Sequence, residues 1–359
     1  VPNPGARHFP PSLRLLSRLS FPALGLFAPL FFSSHFSVEG EVMLQVKVTR
    51  KAVEAEGICS FELCAANGST LPPFEAGAHI DIHLASGLTR QYSLCNAPQE
   101  RHRYVIGVLK DPASRGGSSA MHEHVDPGQT LSISAPRNLF ALSRSAKRHL
   151  LFGGGIGITP MLAMAHELHH QGADFELHYS FRSSERAAFI PWLGQAPFAS
   201  RVHLHDDSGS PEQKLDACAL LAAPDSTRHL YVCGPTGFMK FILDTAQEAG
   251  WPEDQVHREF FAAAPVDPGG DTPFEVQIAS SGQVFYIPAD RTVFEVLDEA
   301  GIDIESSCEQ GVCGTCVTRL LDGVGDHRDQ FMTAAEHAAN DRFTPCCSRA
   351  KSPRLVLDL

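Results

Sequence analysis

The stretch ESSCEQGVCGTCVTRLLDG (305–323), followed by FTPCCSRA (343–350), decides how the rest of this chain is read. Four residues separate Cys308 from Cys313, two separate Cys313 from Cys316, and 29 more precede Cys346. One short loop can then wrap three thiolates around a compact inorganic core while a fourth closes the site, the arrangement that holds a 2Fe-2S cluster. Soft sulfur ligands suit iron. Gly311 and Gly314 lie between the ligands, where a tight loop needs left-handed backbone or a close approach to the sulfides. Backbone amides aimed at sulfur also tune such a centre. Four cysteines can instead build a closed zinc site, but zinc knuckles usually pair their cysteines as two C-x2-C units. Side chains of adjacent residues diverge, so one of Cys346 and Cys347 binds and the other belongs to the surrounding shell.

Working outward, 359 residues exceed one compact core and imply two or three domains. The formal charge of -12 argues against generic nucleic-acid binding, which needs a basic footprint. Ten cysteines would suggest disulfides in a secreted chain, but four are claimed by the cluster and the rest are scattered through apolar runs. A reducing, cytoplasmic compartment follows. Residues 1–42 carry prolines, arginines and an apolar run from Phe21 to Phe32 broken by prolines. That run falls short of the roughly 20 apolar residues of a membrane span. The segment is expected to be a disordered or non-native extension, with an anchor or targeting segment as the alternative.

From Met43 the pattern changes to short alternating runs: Val42, Leu44, Val46 and Val48, then ICSFELCA, HIDIHL, RYVIGVLK and QTLSIS. They predict a small antiparallel barrel over 43–143. Within it, Arg90, Tyr92 and Ser93 offer a charge, a ring face and a hydroxyl together, and Gly117 and Ser118 end a turn whose amides suit a phosphate. A strand end and a surface turn would explain either stretch alone.

Segment 145–262 reads as strands alternating with helices, which implies a parallel sheet covered on both faces. HLLFGGGIGITPMLAMAHELHHQG is strand, glycine turn and helix, with Pro160 in the first turn. Gly153, Gly154, Gly155 and Gly157 let a phosphate approach the helix start. The G-x-G-x-x-G fingerprint is absent, since Thr159 and Pro160 replace its third glycine, and a tight structural turn stays possible. Cys233, Gly234 and Pro235 end a later strand, at the carboxyl edge where parallel sheets bind ligands.

Taken in order, R-x-Y-S-L, G-G-I-G-I-T-P-M, C-G-P, H-x-E-x-F ending at Phe261, and the cysteine set resemble the phthalate dioxygenase reductase and vanillate demethylase reductase family. That family lies within the ferredoxin-NADP reductase superfamily. The resemblance covers 43–359 and implies three units: a flavin-binding barrel (43–143), an α/β NAD-binding domain (145–262) and, after a linker (263–273), a plant-type β-grasp ferredoxin domain (274–359). It implies that Arg90, Tyr92 and Ser93 hold the flavin, with Ser93 near the reactive nitrogen, and that Gly117 and Ser118 serve its phosphate. Gly155, Ile156, Gly157, Thr159 and Pro160 match the nicotinamide-nucleotide loop, with Cys233, Gly234 and Pro235 beside it. Ser93, Cys233 and Phe261 are the residues at the hydride-transfer centre, Phe261 closing the nucleotide domain over the flavin. Cys308, Cys313, Cys316 and Cys346 match the cluster ligands. The family implies FMN rather than FAD, although the motif itself does not separate them.

The implied activity is NADH-dependent reduction of a Rieske-type aromatic-ring oxygenase or demethylase through flavin and cluster. Arg182 and Ser183 leave NADPH open, since a basic site accommodates a 2'-phosphate. Segment 274–359 holds 14 Asp or Glu against 7 Lys or Arg, a field that would steer a basic partner. Neither nucleic acid nor membrane is expected as a partner. A reductase for another acceptor, such as a desaturase or a cytochrome, and a redox-sensing module without turnover remain as alternatives. The eighteen histidines read as surface or core residues.

Overall fold

The computed structural model describes residues 43–85, 87–112, 116–261 and 270–359. The expected extension (1–42) lies outside the described residues, as do most of the expected linker and Ala113, Ser114 and Arg115 of the expected phosphate-side turn.

Six strands form an antiparallel sheet: β1 (Leu44–Ala55), β2 (Ile58–Ala65), β3 (His79–His83), β4 (Thr89–Ser93), β5 (Tyr104–Leu109) and β6 (Thr130–Ile133), in the order β4-β3-β6-β1-β2-β5. An isolated antiparallel bridge between Leu94 and Ile106 joins the two edges, and closing a sheet on itself removes unpaired strand edges. Val46 and Val48, Phe61 and Leu63, and Ile80 and Ile82 alternate inward and are fully buried, as a period of two requires. Each such side chain contributes about 1.5–3 kcal/mol by leaving water. A short helix, α1 (Gly117–His124), follows β5.

Five parallel strands come next: β7 (Arg148–Gly154), β8 (Asp174–Phe181), β9 (Val202–Asp206), β10 (Arg228–Cys233) and β11 (Val256–Glu259), ordered β11-β10-β7-β8-β9. Helix α2 (Ile158–His170) buries Met161, Leu162 and Met164 in a core continuous with the barrel. Helices α3 (Ile190–Gln195), α4 (Ala217–Leu221) and α5 (Thr236–Glu248) follow, α5 packing Met239 and Ile242 with Phe152 and Val232 in a separate core. After β7 the chain moves to β8 and β9, then returns to lay β10 on the other side of β7. The strand order therefore reverses between β7 and β10, which opens a crevice at their carboxyl ends.

The last sheet is mixed: β12 (Phe274–Ile278), β13 (Val284–Ile287), β14 (Thr318–Asp322), β16 (Arg342–Phe343) and β18 (Arg354–Leu357), ordered β13-β12-β18-β14-β16. Strands β15 (Gly325–Asp326) and β17 (Arg349–Ala350) pair separately. Helix α6 (Val293–Glu299) buries Val293 and Leu297 against this sheet's core. Its start is a reciprocal cap: Thr292 Oγ1 accepts from Glu295 N at 3.1 Å, and Glu295 Oε2 accepts from Thr292 N at 2.8 Å. Thr333 and Glu336 repeat the device on α7 (Ala334–Ala339). Buried Arg349 donates to the carbonyls of Thr272 (3.1 Å), Pro288 (2.8 Å) and Arg291 (2.8 Å). It thereby ties the start of this unit to the segment that carries Cys346. The architecture is the multidomain one expected from the sequence: an antiparallel barrel, a parallel α/β sheet and an α+β ferredoxin-like unit.

Candidate active site

A cleft of about 1240 Å³ opens at the reversal between β7 and β10, and all three sheets contribute to its walls. Arg90, Tyr92 and Ser93 come from β4, and Ser118 from α1. Gly155, Ile156, Gly234 and Pro235 come from the segments after β7 and β10, Thr159 from the start of α2, Phe261 from the segment after β11, and Cys308 and Cys313 from the cysteine loop.

The barrel wall follows from strand register. Ser93 pairs with His79 across β3 and β4, and its hydroxyl donates to Glu259 Oε2 at 3.4 Å, linking the barrel to the end of β11. Burial raises the Glu259 carboxyl to about 8, and the Ser93 bond opposes the rise. Burial likewise pushes the Tyr92 phenol up, keeping it protonated, and holds His79 down to about 4. Neutral His79 faces the Gln91 side-chain amide at 3.2 Å. The expected phosphate-side turn is the start of α1, with Gly117 its first residue. Gly117 does not line the cleft. A Cβ on it would come 2.5 Å from Arg90 Nε, so its bare backbone makes room for that guanidinium.

On the opposite wall, Thr159 Oγ1 donates to the Ile156 carbonyl at 3.0 Å and closes the glycine turn onto α2. Gly157 and Pro160 lie behind the surface. A Cβ on Gly157 would stand 2.2 Å from the Cys233 carbonyl oxygen, so the two loop ends touch backbone to backbone. Cys233 itself is fully buried, and desolvation pushes its thiol well above its ordinary value. Its neighbours Gly234 and Pro235 reach the cleft in its place. Arg182 lines the cleft, and so does Asp207 just beyond β9.

In the cysteine loop the sulfurs gather in two pairs. Cys316 Sγ and Cys346 Sγ lie 3.2 Å apart, and Cys308 bonds to Cys313, which raises the first thiol and lowers the second. None of the ten cysteines forms a disulfide. Two thiolates for each of two irons is the ligand set of a 2Fe-2S cluster, so the donors fit that group. Cys347 stays beside Cys346, bonding to it, while its sulfur also lies 3.4 Å from Thr344 Oγ1 and packs against Gly311 of the cysteine loop. Gly314 adopts φ 72°, and a Cβ there would strike the Phe331 ring at 2.4 Å.

Sequence reasoning missed Glu259 as a participant, although it stands inside the H-x-E-x-F run, and it missed Phe238, Phe331 and His79 as walls. It also read the histidines singly. Glu176, His178 and His203 gather across β8 and β9, as do His327, Asp329 and His337 near the cysteine loop. His178 is already satisfied, at 3.1 Å from His205 and 3.3 Å from Glu176.

A barrel bearing R-x-Y-S, a parallel sheet with its crevice glycines and a four-thiolate loop on one cleft define a flavin and iron–sulfur reductase. The 2Fe-2S iron-sulfur cluster binding domain family matches residues 276–351. The chain is 58% identical over 317 residues to the vanillate O-demethylase oxidoreductase of a Pseudomonas species, covering 88% of this chain and 100% of that one. It is 42% identical to a solved phthalate dioxygenase reductase, described as a modular structure for electron transfer from pyridine nucleotides to 2Fe-2S. That match covers 88% of this chain and 98% of the other, with a TM-score of 0.68. The chain belongs to the vanillate and phthalate oxygenase reductase family, with its C-terminal 2Fe-2S domain. It is an oxidoreductase that takes electrons from NADH through flavin and cluster to a Rieske-type oxygenase.

The expectation of FMN is corrected. A further solved relative, 27% identical with a TM-score of 0.53 over 61% of this chain and 98% of its own, is described as the FAD/NAD-binding domain of a nitric oxide dioxygenase from Vibrio cholerae. FAD is the typical flavin of ferredoxin-reductase-like proteins. The expectation rested on the family resemblance alone; Arg90, Tyr92 and Ser93 face a ring and a phosphate, which both flavins share, so the motif offered no contact to the adenylate half that could have checked it.

Proposed function

We propose that this chain is the reductase component of a vanillate O-demethylase system, working in the cytoplasm. The observation that carries the reading is the common cleft, which brings Tyr92 and Ser93, Gly155 and Ile156, and Cys308 and Cys313 onto one continuous surface. The extent of the likeness to the vanillate enzymes supports the choice of system. No helix among the described residues is long and apolar enough to cross a membrane.

When bound, nicotinamide supplies a hydride, flavin turns the pair into single electrons, and the cluster carries them one at a time. The chain's own residues orient and enclose. Arg90 and the start of α1 take the flavin phosphate, where amides and the helix dipole favour an anion. Tyr92 packs the ring, and Ser93, held by Glu259, presents its hydroxyl to the reactive edge. The turn 155–159 would take the nucleotide phosphates, and Phe261, on the cleft wall, would lie against the flavin side of the site. Arg182 sits on the nucleotide side, and Asp207 beside it suits a free ribose hydroxyl and hence NADH. Cys308, Cys313, Cys316 and Cys346 hold the cluster, and the acidic face of 274–359 steers the oxygenase.

The test is reconstitution with a purified vanillate demethylase oxygenase, NADH and vanillate. NADH-dependent release of the methyl group as formaldehyde, abolished when this chain is left out, supports the reading. NADH oxidation with no formaldehyde, alongside turnover with another Rieske oxygenase, would assign the chain to a different system.

A further inference from the structure

We infer that Asp81 and Ser307 form a latch that fixes the cysteine loop against the flavin wall, so that Asp81 is a positioning residue for electron transfer from flavin to cluster. The inference rests on the relay described above. Ser307 Oγ donates to Asp81 Oδ1 at 2.7 Å, a bond between residues 226 apart in the chain and buried on both sides. Ser307 immediately precedes Cys308, and Asp81 pairs with Gln91 on β4, the residue between Arg90 and Tyr92. One hydrogen bond therefore spans from a cluster ligand's neighbour to β3, the strand paired with the flavin motif on β4.

The choice of an acid at this position has no explanation inside the barrel. Ile80 and Ile82 point into the barrel core, so strand alternation turns Asp81 outward, to the face that water would cover in an isolated barrel. It is only 3% exposed, and Ser307 is also 3% exposed. A buried carboxylate is tolerated when it is paired and hydrogen-bonded, and here every side is occupied. Arg137 pairs with Oδ2, and Ser307 takes Oδ1. The Asp81 amide donates to Ser134 Oγ at 2.9 Å, while its carbonyl accepts from Ser134 N at 3.0 Å. Arg137 is held in turn by reciprocal backbone bonds with His79, at 2.9 and 3.0 Å. The carboxylate is thus presented rigidly, and the loop's serine is the group it receives. Neither Asp81 nor Ser307 lines the cleft, so neither need touch the nicotinamide or the flavin.

The experiment uses the cofactor-loaded full chain with Ser307→Ala, Asp81→Asn and the conservative Ser307→Thr, mixed anaerobically with NADH in a stopped-flow instrument. Flavin bleaching and KM for NADH should stay within about twofold of the parent, while cluster bleaching in Ser307→Ala slows about tenfold, since small misplacements of reacting groups cost large factors in rate. Ser307→Thr should restore it. Hydrogen exchange of amides 305–310 should speed up in Ser307→Ala and not in Ser307→Thr. Cluster reduction at the parental rate with unchanged exchange overturns the latch. Loss of cluster content in every variant, Ser307→Thr included, overturns it in favour of a purely structural role. If NADH leaves the flavin of the parent protein unreduced, the relay reading fails instead, and the exchange measurement still decides the latch. Should Asp81→Asn not fold, Ser307→Ala carries the test.

Discussion

The Ser93 hydroxyl of the barrel donates to the Glu259 carboxyl at the end of the parallel sheet, 3.4 Å away and 166 residues further along the chain. Two units with separate strand systems thus meet through a polar contact at the mouth of their crevice. It lies beside Tyr92 and Phe261 on the cleft wall, where the proposed function brings flavin and nicotinamide together.

Removing that hydroxyl should damage hydride transfer more than flavin binding. Ser93→Ala is expected to retain flavin and to slow anaerobic flavin reduction by NADH about 10²-fold, the scale of loss for a misaligned reacting group. Glu259→Gln keeps an acceptor for Ser93 and should lose less. Equal losses in the two variants would show that the Glu259 carboxyl itself, not the serine's placement, is the controlling feature.

Gly157 tests the opposite wall. A methyl group there must displace the Cys233 carbonyl, which a Cβ would approach to 2.2 Å. Gly157→Ala should cost about 1–3 kcal/mol in stability, as overpacking does, and raise KM for NADH. Ferredoxin-unit absorbance should be untouched. Denaturant titration and steady-state kinetics measure the two effects separately.

The adjacent cysteines should behave unequally. Cys346 Sγ sits 3.2 Å from Cys316 Sγ, whereas the Cys347 sulfur, though beside Cys346, also bonds to Thr344 Oγ1 at 3.4 Å. Cys346→Ser is expected to lower bound iron and sulfide sharply and to abolish the reduced-cluster paramagnetic signal. Cys347→Ser should keep both, with at most a small shift in potential from the altered shell.

Much of this site could be read before the fold was known. Three thiolates on one loop and a glycine turn between strand and helix are local devices, so Cys308, Cys313, Cys316 and Gly155 announce themselves through spacing. Ser93 was legible through its motif. Glu259 and the Asp81–Ser307 contact were not, because each joins residues more than 160 positions apart and no local pattern encodes such a meeting. Helix α1 was read as a turn because two glycines, Gly116 and Gly117, open it and the whole helix is only eight residues long. The caps at Thr292 and Thr333, by contrast, were present as T-x-x-E and could have placed both later helices.

Acid should destabilise the fold before most carboxylates titrate. Burial holds His79, His149 and His257 down to about 4 and His178 to about 3, so these rings stay neutral in the folded chain while their unfolded counterparts take up protons near 6.5. The unfolded state then binds more protons, and stability falls as pH drops from about 6.5 toward 4. Denaturant midpoints across that window should decline steeply, and His178→Gln should flatten part of the slope. A midpoint constant from pH 7 to 4.5 would contradict the buried-neutral assignment.

The most direct test of the electron path is an anaerobic titration of the purified protein with NADH, following flavin and cluster absorbance together and the paramagnetic signal at the end. The account predicts that NADH bleaches the flavin and then the cluster, leaving the signal of a reduced 2Fe-2S centre. Bound flavin and cluster that NADH leaves oxidised would contradict it.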